Sequence, residues 1–340
     1  MKPIRNSCRV QDIRASLLAG AVLVLAAMPA HAQQADAPES ASATADEDTV
    51  PEGEILVTAT RRTSALSRTP ISVVAKGREE LDAQGVRSIA DIASITPGIS
   101  FGQSSVQYGT GQTSISIRGV DSQSGIPTTG IYIDDTPVQT RVGVSPSLGN
   151  AYPQVFDLER VEVLRGPQGT LFGSGSVGGS VRFILPKPSY DTLSLYARSE
   201  LATTRNGAAS YEAGFAVGAP IVDGKIGFRG SVWARRDGGY IDQLDPYTGQ
   251  LVKKDTNYSN AFSARLALGF RPSESLTLTP SIFYQKEFIA DGARFELASS
   301  DLGSANLRQS LNQRTEPHND RFFLPALKAE LELGGVTLIS

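Results

Sequence analysis

The chain has 340 residues but only one cysteine, two histidines and one tryptophan. A histidine-based metal site, or a Cys/His or Ser/His catalytic set, has almost nothing to draw on. No catalytic residue, metal site or cofactor is therefore expected. Net charge is −3, so there is no basic footprint for nucleic acid. One long apolar run occurs, residues 15–27 (ASLLAGAVLVLAA), and none like it follows. If the protein lives in a membrane, it must do so as strands.

That run belongs to a leader. Lys2, Arg5, Arg9 and Arg14 precede it, and Ala30-His31-Ala32 is a small-x-small cleavage site. A spanning helix needs roughly 20 apolar residues, more than this run offers. Residues 1–32 are read as a signal peptide, and Cys8 and His31 leave with it. Residues 33–51 are Ala, Ser and acid with no base and no aromatic, and read as a disordered acidic leader.

From about residue 189 the pattern is strict alternation. Leu193, Leu195, Ala197 and Leu201 oppose Ser194, Tyr196, Arg198 and Glu200. The same period runs through residues 211–221, 226–234, 262–270, 276–284 and 323–333, with a further start at 336–340. Period two means strands with one apolar and one polar face. At about 9 to 13 residues each, they suit tilted spans of a bilayer. Short turns (Asp223-Gly224, Pro272-Ser273-Glu274, Gly334-Gly335) contrast with long polar stretches at 235–259 and 287–320. Only the short stretch 205–210 departs from that contrast. Such asymmetry marks an outer-membrane barrel, and a soluble sandwich does not require it.

Between these regimes the text is Gly-rich and mixed. A strand is expected over 69–74, a helix over 78–84 ended by Gly85, and a second helix opened by Ser88 and Asp91. Strands follow at 99–101, 114–118, 130–133, 160–164 and 181–185. FGSGSVGGS (172–180) contains a formal G-x-G-x-x-G at Gly173, Gly175 and Gly178. A dinucleotide site needs a helix to follow those glycines, and here a strand-like run follows. A steric role is expected instead, where this domain packs on the inside of a barrel wall.

The order of motifs is specific. TPISVVAKGREELDAQGVRSIADIASITPGISFG, SISIRGV, GIYIDDTPV and DLERVEVLRGPQGTLFGSGSVGGSVRFILPKP resemble, station by station, the plug domain of TonB-dependent outer-membrane receptors. EGEILVTATRR (52–62) resembles the TonB box. The resemblance implies a mixed α/β plug domain (63–188), followed by the first antiparallel strands of a transmembrane β-barrel (189–340, about six to seven strands), mainly β overall. Where that family has Asp-Gly, this chain has Asp134-Asp135, which implies a strained or different turn.

The implied function is TonB-dependent uptake of a scarce ligand (ferric siderophore, cobalamin or glycan) by a monomer in the Gram-negative outer membrane. Its implied partners are a TonB-like periplasmic energy-coupling protein, outer-membrane lipid and the ligand, with no nucleic acid. Alternatives are a passive outer-membrane porin, an inactive truncated receptor fragment, and a secreted hydrolase or binding protein. Glu54, Ile55, Leu56, Val57, Thr58 and Ala59 are the implied TonB-contacting strand, and the bland alternative makes them the plug's first strand. Gln103, Gln107, Tyr108, Gln139 and Arg141 are the implied ligand-binding residues of the plug apices. Arg118 and Arg165 are implied to pair with barrel-wall acids. The family's barrel has about 22 strands, so the chain is expected to be a piece of a longer receptor or a truncated frame.

Overall fold

The structure is a computed structural model and describes residues 55–61, 64–104, 112–121, 126–138, 152–310 and 314–340. The signal peptide and the whole acidic stretch lie outside the described residues.

The first domain begins with a two-stranded ribbon, β1 (Leu56–Val57) against β2 (Ser64–Ala65). β3 (Val73–Gly77) starts four residues later than the sequence pattern predicts. Thr69 and Ile71 are held in a tight turn, donating to the Leu66 and Thr69 carbonyls. Lys76 and Gly77 instead continue the ladder. α1 (Arg78–Ala83) ends as expected, with Gly85 at φ +65°. α2 (Ile89–Ile95) carries the expected capping box: Asp91 N–H donates to Ser88 Oγ, and Ser88 N–H to the Asp91 carboxylate. β4 (Ile99–Ser104) pairs with β5 (Gln112–Ile117). β6 (Thr129–Ile133) and β7 (Thr136–Pro137) form a tight hairpin. β8 (Arg160–Arg165), the four-residue α3 (Gly169–Phe172) and β9 (Gly179–Ile184) complete a five-stranded sheet of order β3-β8-β9-β6-β7.

β6, β8 and β9 are sealed along almost their whole length, as expected of strands covered on both faces. Leu81, Ile89 and Ile92 from the helices pack on Ile131, Val161, Val163 and Phe183.

The glycine cluster is resolved by contact rather than by ligand. A Cβ on Gly179 would sit 2.2 Å from the Leu164 carbonyl oxygen and 2.7 Å from Ile117 Cδ1. One on Gly178 would crowd Val120 and the Thr128 carbonyl. These neighbours are all in the α/β domain. The close approach is therefore internal, which corrects the expectation of a barrel wall there. The Asp134-Asp135 turn has positive φ (+51°) at Asp134 only. The strain falls on the first central residue, so Asp135 needs no glycine.

The second part is one antiparallel sheet of seven strands: β10 (Ser194–Thr203), β11 (Ala209–Val222), β12 (Ile226–Asp237), β15 (Ser259–Ser273), β16 (Leu276–Ile289), β18 (His318–Leu333) and β19 (Val336–Ile339). Leu195, Phe215, Val232, Leu266, Ile282 and Leu327 are exposed on one face. Glu212, Arg229, Trp233, Arg265 and Gln285 are buried on the other, against the α/β domain. The apolar face therefore looks outward, as in a lipid-facing wall. The two long connections are not plain loops. β13 (Ile241–Leu244), β14 (Leu251–Lys253) and β17 (Leu307–Gln309) join them in a three-stranded sheet, with β13 parallel to β17. No helix among the described residues is long and apolar enough to cross a membrane, which says nothing of a β-barrel.

Candidate functional site

Two buried carboxylates organise the α/β domain's connections. The first is Glu162, in the middle of β8. Its carboxylate accepts from Thr58 N–H at 2.8 Å, from Arg160 Nε at 2.8 Å and from Arg182 Nη1 at 2.7 Å. The Thr58 hydroxyl donates to the same carboxylate at 3.2 Å and accepts from Arg182 Nη1 at 2.8 Å. Arg182 reaches on to Asp135 at 3.0 Å, and Asp135 accepts from Arg61 at 2.8 Å. The Arg61 guanidinium lies over the Phe172 ring, 4.7 Å from its centroid. Arg61 has φ +63°, so the chain reverses sharply just beyond the anchored stretch.

This places most of the implied TonB-contacting strand. Val57 and Ala59 are fully buried, packing with Leu164, Tyr132 and Phe172. Ile55 is half-buried and Leu56 is 40% exposed. Glu54 lies outside the described residues. The segment is thus built into the domain, and its anchor is a charge cluster.

The second carboxylate is Glu212, on the inner face of β11. It pairs with Arg198 and Arg235 of the neighbouring strands, and with Arg87 of the α/β domain at 3.4 Å. Arg87 also meets Glu200 at 3.1 Å, and Arg198 meets Asp82 of α1 at 3.2 Å. Tyr196 donates to Asp82 at 3.0 Å. Farther along the wall, Arg229 forms a buried two-pronged pair with Asp157. Gln285 binds both sides of one backbone stretch: its amide donates to the Tyr152 carbonyl at 2.7 Å, and its oxygen accepts from Gln154 N–H at 3.0 Å. Phe156 stacks on Trp233, and Gly214 leaves the room that Phe156 occupies. Asp134 Oδ1 accepts from Leu185 N–H at 2.9 Å. Burial pushes its carboxyl above the usual carboxylate range, against the pull of Arg265.

The remaining sequence candidates divide. Arg118 is exposed, with φ +55°, and donates to Ser72 Oγ at 3.1 Å. Arg165 donates to the Pro97 carbonyl at 3.2 Å. Among the described residues neither forms an ion pair with the wall. Gln103 sits near the end of β4, while Gln107, Tyr108, Gln139 and Arg141 lie outside the described residues. No group of three or more His, Cys, Asp or Glu that could hold a metal occurs among the described residues.

Sequence reasoning missed Glu162, Arg182, Glu212, Arg229 and Arg87. Two signals were present. Glu162 and Arg182 interrupt otherwise apolar runs (VEVL, SVRFIL), where a charge must be paired. Glu200, Glu212 and Arg229 lie on the polar face of strands whose other face is apolar, so they point to whatever packs on that polar face.

Comparison with known proteins gives a consistent result. The TonB-dependent Receptor Plug Domain family matches residues 65–180. An iron-regulated outer membrane virulence protein of Vibrio cholerae is 33% identical over 153 residues, 44% of this chain and 22% of that protein. The pesticin receptor of Yersinia pestis is 29% identical over 202 residues, 58% of this chain and 27% of that one. The crystal structure of the ferric yersiniabactin uptake receptor from Yersinia pestis superposes with a TM-score of 0.61 at 22% identity, over 79% of this chain and 39% of that one. The chain spans about a quarter of the length of the curated relatives it matches.

Proposed function

The chain belongs to the TonB-dependent receptors, as a plug domain with the N-terminal part of its β-barrel, and from that premise we propose that it serves active uptake of a scarce ligand across the outer membrane. A ferric siderophore is the favoured class, because one similar protein is iron-regulated and the superposed structure is of a ferric siderophore receptor. The plug gates the barrel from the inside. The outer membrane has no ATP supply, so work arrives from a periplasmic TonB-like partner that captures the segment around Ile55–Ala59 as an added strand.

One observation carries this reading. The segment is anchored by Thr58 to Glu162 and Arg182, in the strands that form the plug's centre. A pull on it is therefore felt first at the core of the gate. Recognition by a partner strand rests on backbone hydrogen bonds, so proline at Leu56 removes a donor and fixes φ. Leu56→Pro in the full-length protein should abolish partner capture and uptake while ligand affinity stays intact. Leu56→Ala should do far less. Wild-type uptake by the proline variant would remove this segment from the coupling path. Loss of ligand binding together with poor folding would make it only the plug's first strand.

A further inference from the structure

The outer face of the wall carries bases where a lipid-facing surface should be apolar. Three places in the sequence pair a base with an adjacent acid: Arg236-Asp237, Lys286-Glu287 and Asp320-Arg321. Strand alternation sends the two members of each pair to opposite faces. Arg235, which pairs with Glu212, fixes the inner face of β12, so Asp237 also faces inward and Arg236 faces outward. The ladder carries this assignment across the sheet. Arg236 stands beside Asn260, Lys286 opposite Phe262, and Arg321 opposite Lys286. All three acids therefore face the lumen, and all three bases face outward.

The bases cluster at one height. Asp237, Ile289 and His318 are the last ladder positions at the long-loop end of their strands, and the three bases lie one to three residues inside them. Long connections mark the outer side of such barrels, so this is the level of the outer headgroups. Lys286 and Arg321 stand directly opposite each other, a like-charge pair that costs stability when left alone. Both are exposed, and among the described residues neither has an ion-pair partner. Arg236 reaches Asn260 at 3.0 Å and lies 4.4 Å from the Tyr258 ring centroid. Between β15, β16 and β18 lies a cavity of about 350 Å³ on this face, lined by Asn260, Phe262, Lys286, Phe288 and Asn319. Below it runs the apolar band of Leu266, Ile282 and Leu327.

We propose that Lys286, Arg321 and Arg236 form a binding site for the phosphate-bearing headgroup of an outer-leaflet lipid, whose acyl chains lie along the apolar band beneath. An anionic phosphate between Lys286 and Arg321 converts their repulsion into two charge-assisted contacts. The aromatic floor of Phe262 and Phe288 suits the boundary between headgroup and chain. The same site holds the barrel at a fixed depth, because the bases cannot sink into hydrocarbon.

The inference rests on the strands crossing the outer membrane. It is tested with the full-length protein in detergent, by native mass spectrometry with bis-phosphorylated lipid A and with its dephosphorylated form. Wild type should retain the phosphorylated lipid selectively. At roughly a fivefold loss per surface charge, Lys286→Gln or Arg321→Gln should weaken retention about fivefold, and both together about 25-fold. Lys286→Arg should keep it. Heat-modifiable migration on gels checks that each variant is folded. Equal retention by a folded double variant, or equal retention of the dephosphorylated lipid, overturns the proposal. So does displacement by inorganic phosphate at equal concentration, which would make this an ion site. If wild type fails to insert into lipid vesicles as a barrel, the receptor reading falls and this site falls with it. If it inserts and the glutamine variants bind lipid normally, only the lipid site is lost.

Discussion

Glu162 and Glu212 are both closed to solvent, and each is surrounded by arginines, yet they join different things. Glu162 ties the N-terminal segment to the plug's own sheet: Thr58 is a segment residue, and Arg160 and Arg182 are plug residues. Glu212 ties the plug to the wall: Arg198 and Arg235 are strand residues and Arg87 is a plug residue. The two also differ in reserve. Around Glu162 the further acids are two more exposed ones, Glu159 for Arg160 and Asp135 for Arg182. Around Glu212 the arginines have alternatives in Glu200, Asp82 and Asp237. Under the proposed uptake function, the first cluster would hold the segment and the second the seat of the plug. The comparison can be broken or sharpened by substitution at each end.

The largest effect is expected at Glu162. Glu162→Ala leaves Arg160 and Arg182 buried without their central acid, and removing one partner of a buried pair costs about 3–5 kcal/mol. Thr58 loses its N–H acceptor as well. The plug should lose protection from amide exchange along β8 and β9, while the barrel strands keep theirs. Unchanged protection in β8 would mean that the cluster does not stabilise the plug.

Glu212→Gln should cost less, about 2 kcal/mol, because the neighbouring acids take up the freed arginines. Its effect should fall on the seat and not on the plug's interior. Passive leakage of small solutes through the full-length barrel should rise while amide exchange in β8 stays as in wild type. If Glu212→Gln instead loosens β8, the two clusters are one system and the contrast fails.

Much of this architecture was legible locally. Period-two alternation located every long strand of the wall, because burial on one face and lipid on the other impose it residue by residue. The cap at Ser88 and the stop at Gly85 were legible for the same reason, since each involves neighbours within four residues. What was not legible depends on register between distant segments. Nothing near Arg87 announces Glu212, and nothing near Thr58 announces Glu162 or Arg182. The loop sheet was missed because β13 and β17 are short, and Ile241 meets Leu307 only through tertiary packing. The arginines chosen from motif order, Arg118 and Arg165, are not those that seat the plug on these strands.

A smaller effect should appear at Thr58. Thr58→Val keeps shape and β-branching but removes the hydroxyl that bridges Glu162 and Arg182. The backbone hydrogen bond from Thr58 survives, so the loss should be about 1 kcal/mol. Released more easily, the segment should be captured faster by a soluble TonB-like domain, with ligand affinity unchanged. Slower or unchanged capture would show that the hydroxyl does not hold the segment.

The smallest effect on folding is expected at Arg118, which makes it the sharpest test of what the motif order implied. Its side chain is exposed and, among the described residues, hydrogen-bonds only to Ser72. An exposed contact of this kind is worth at most about 1 kcal/mol. Alanine at φ +55° carries much the same backbone strain as arginine, so Arg118→Ala isolates the guanidinium. Plug stability should therefore hardly move. If wall acids outside these seven strands pair with Arg118, leakage through the full-length barrel should still rise, separating seat from stability as at Glu212. If neither leakage nor protease resistance of the plug changes, Arg118 holds nothing. The seat would then lie with Glu212, Asp157 and Gln285.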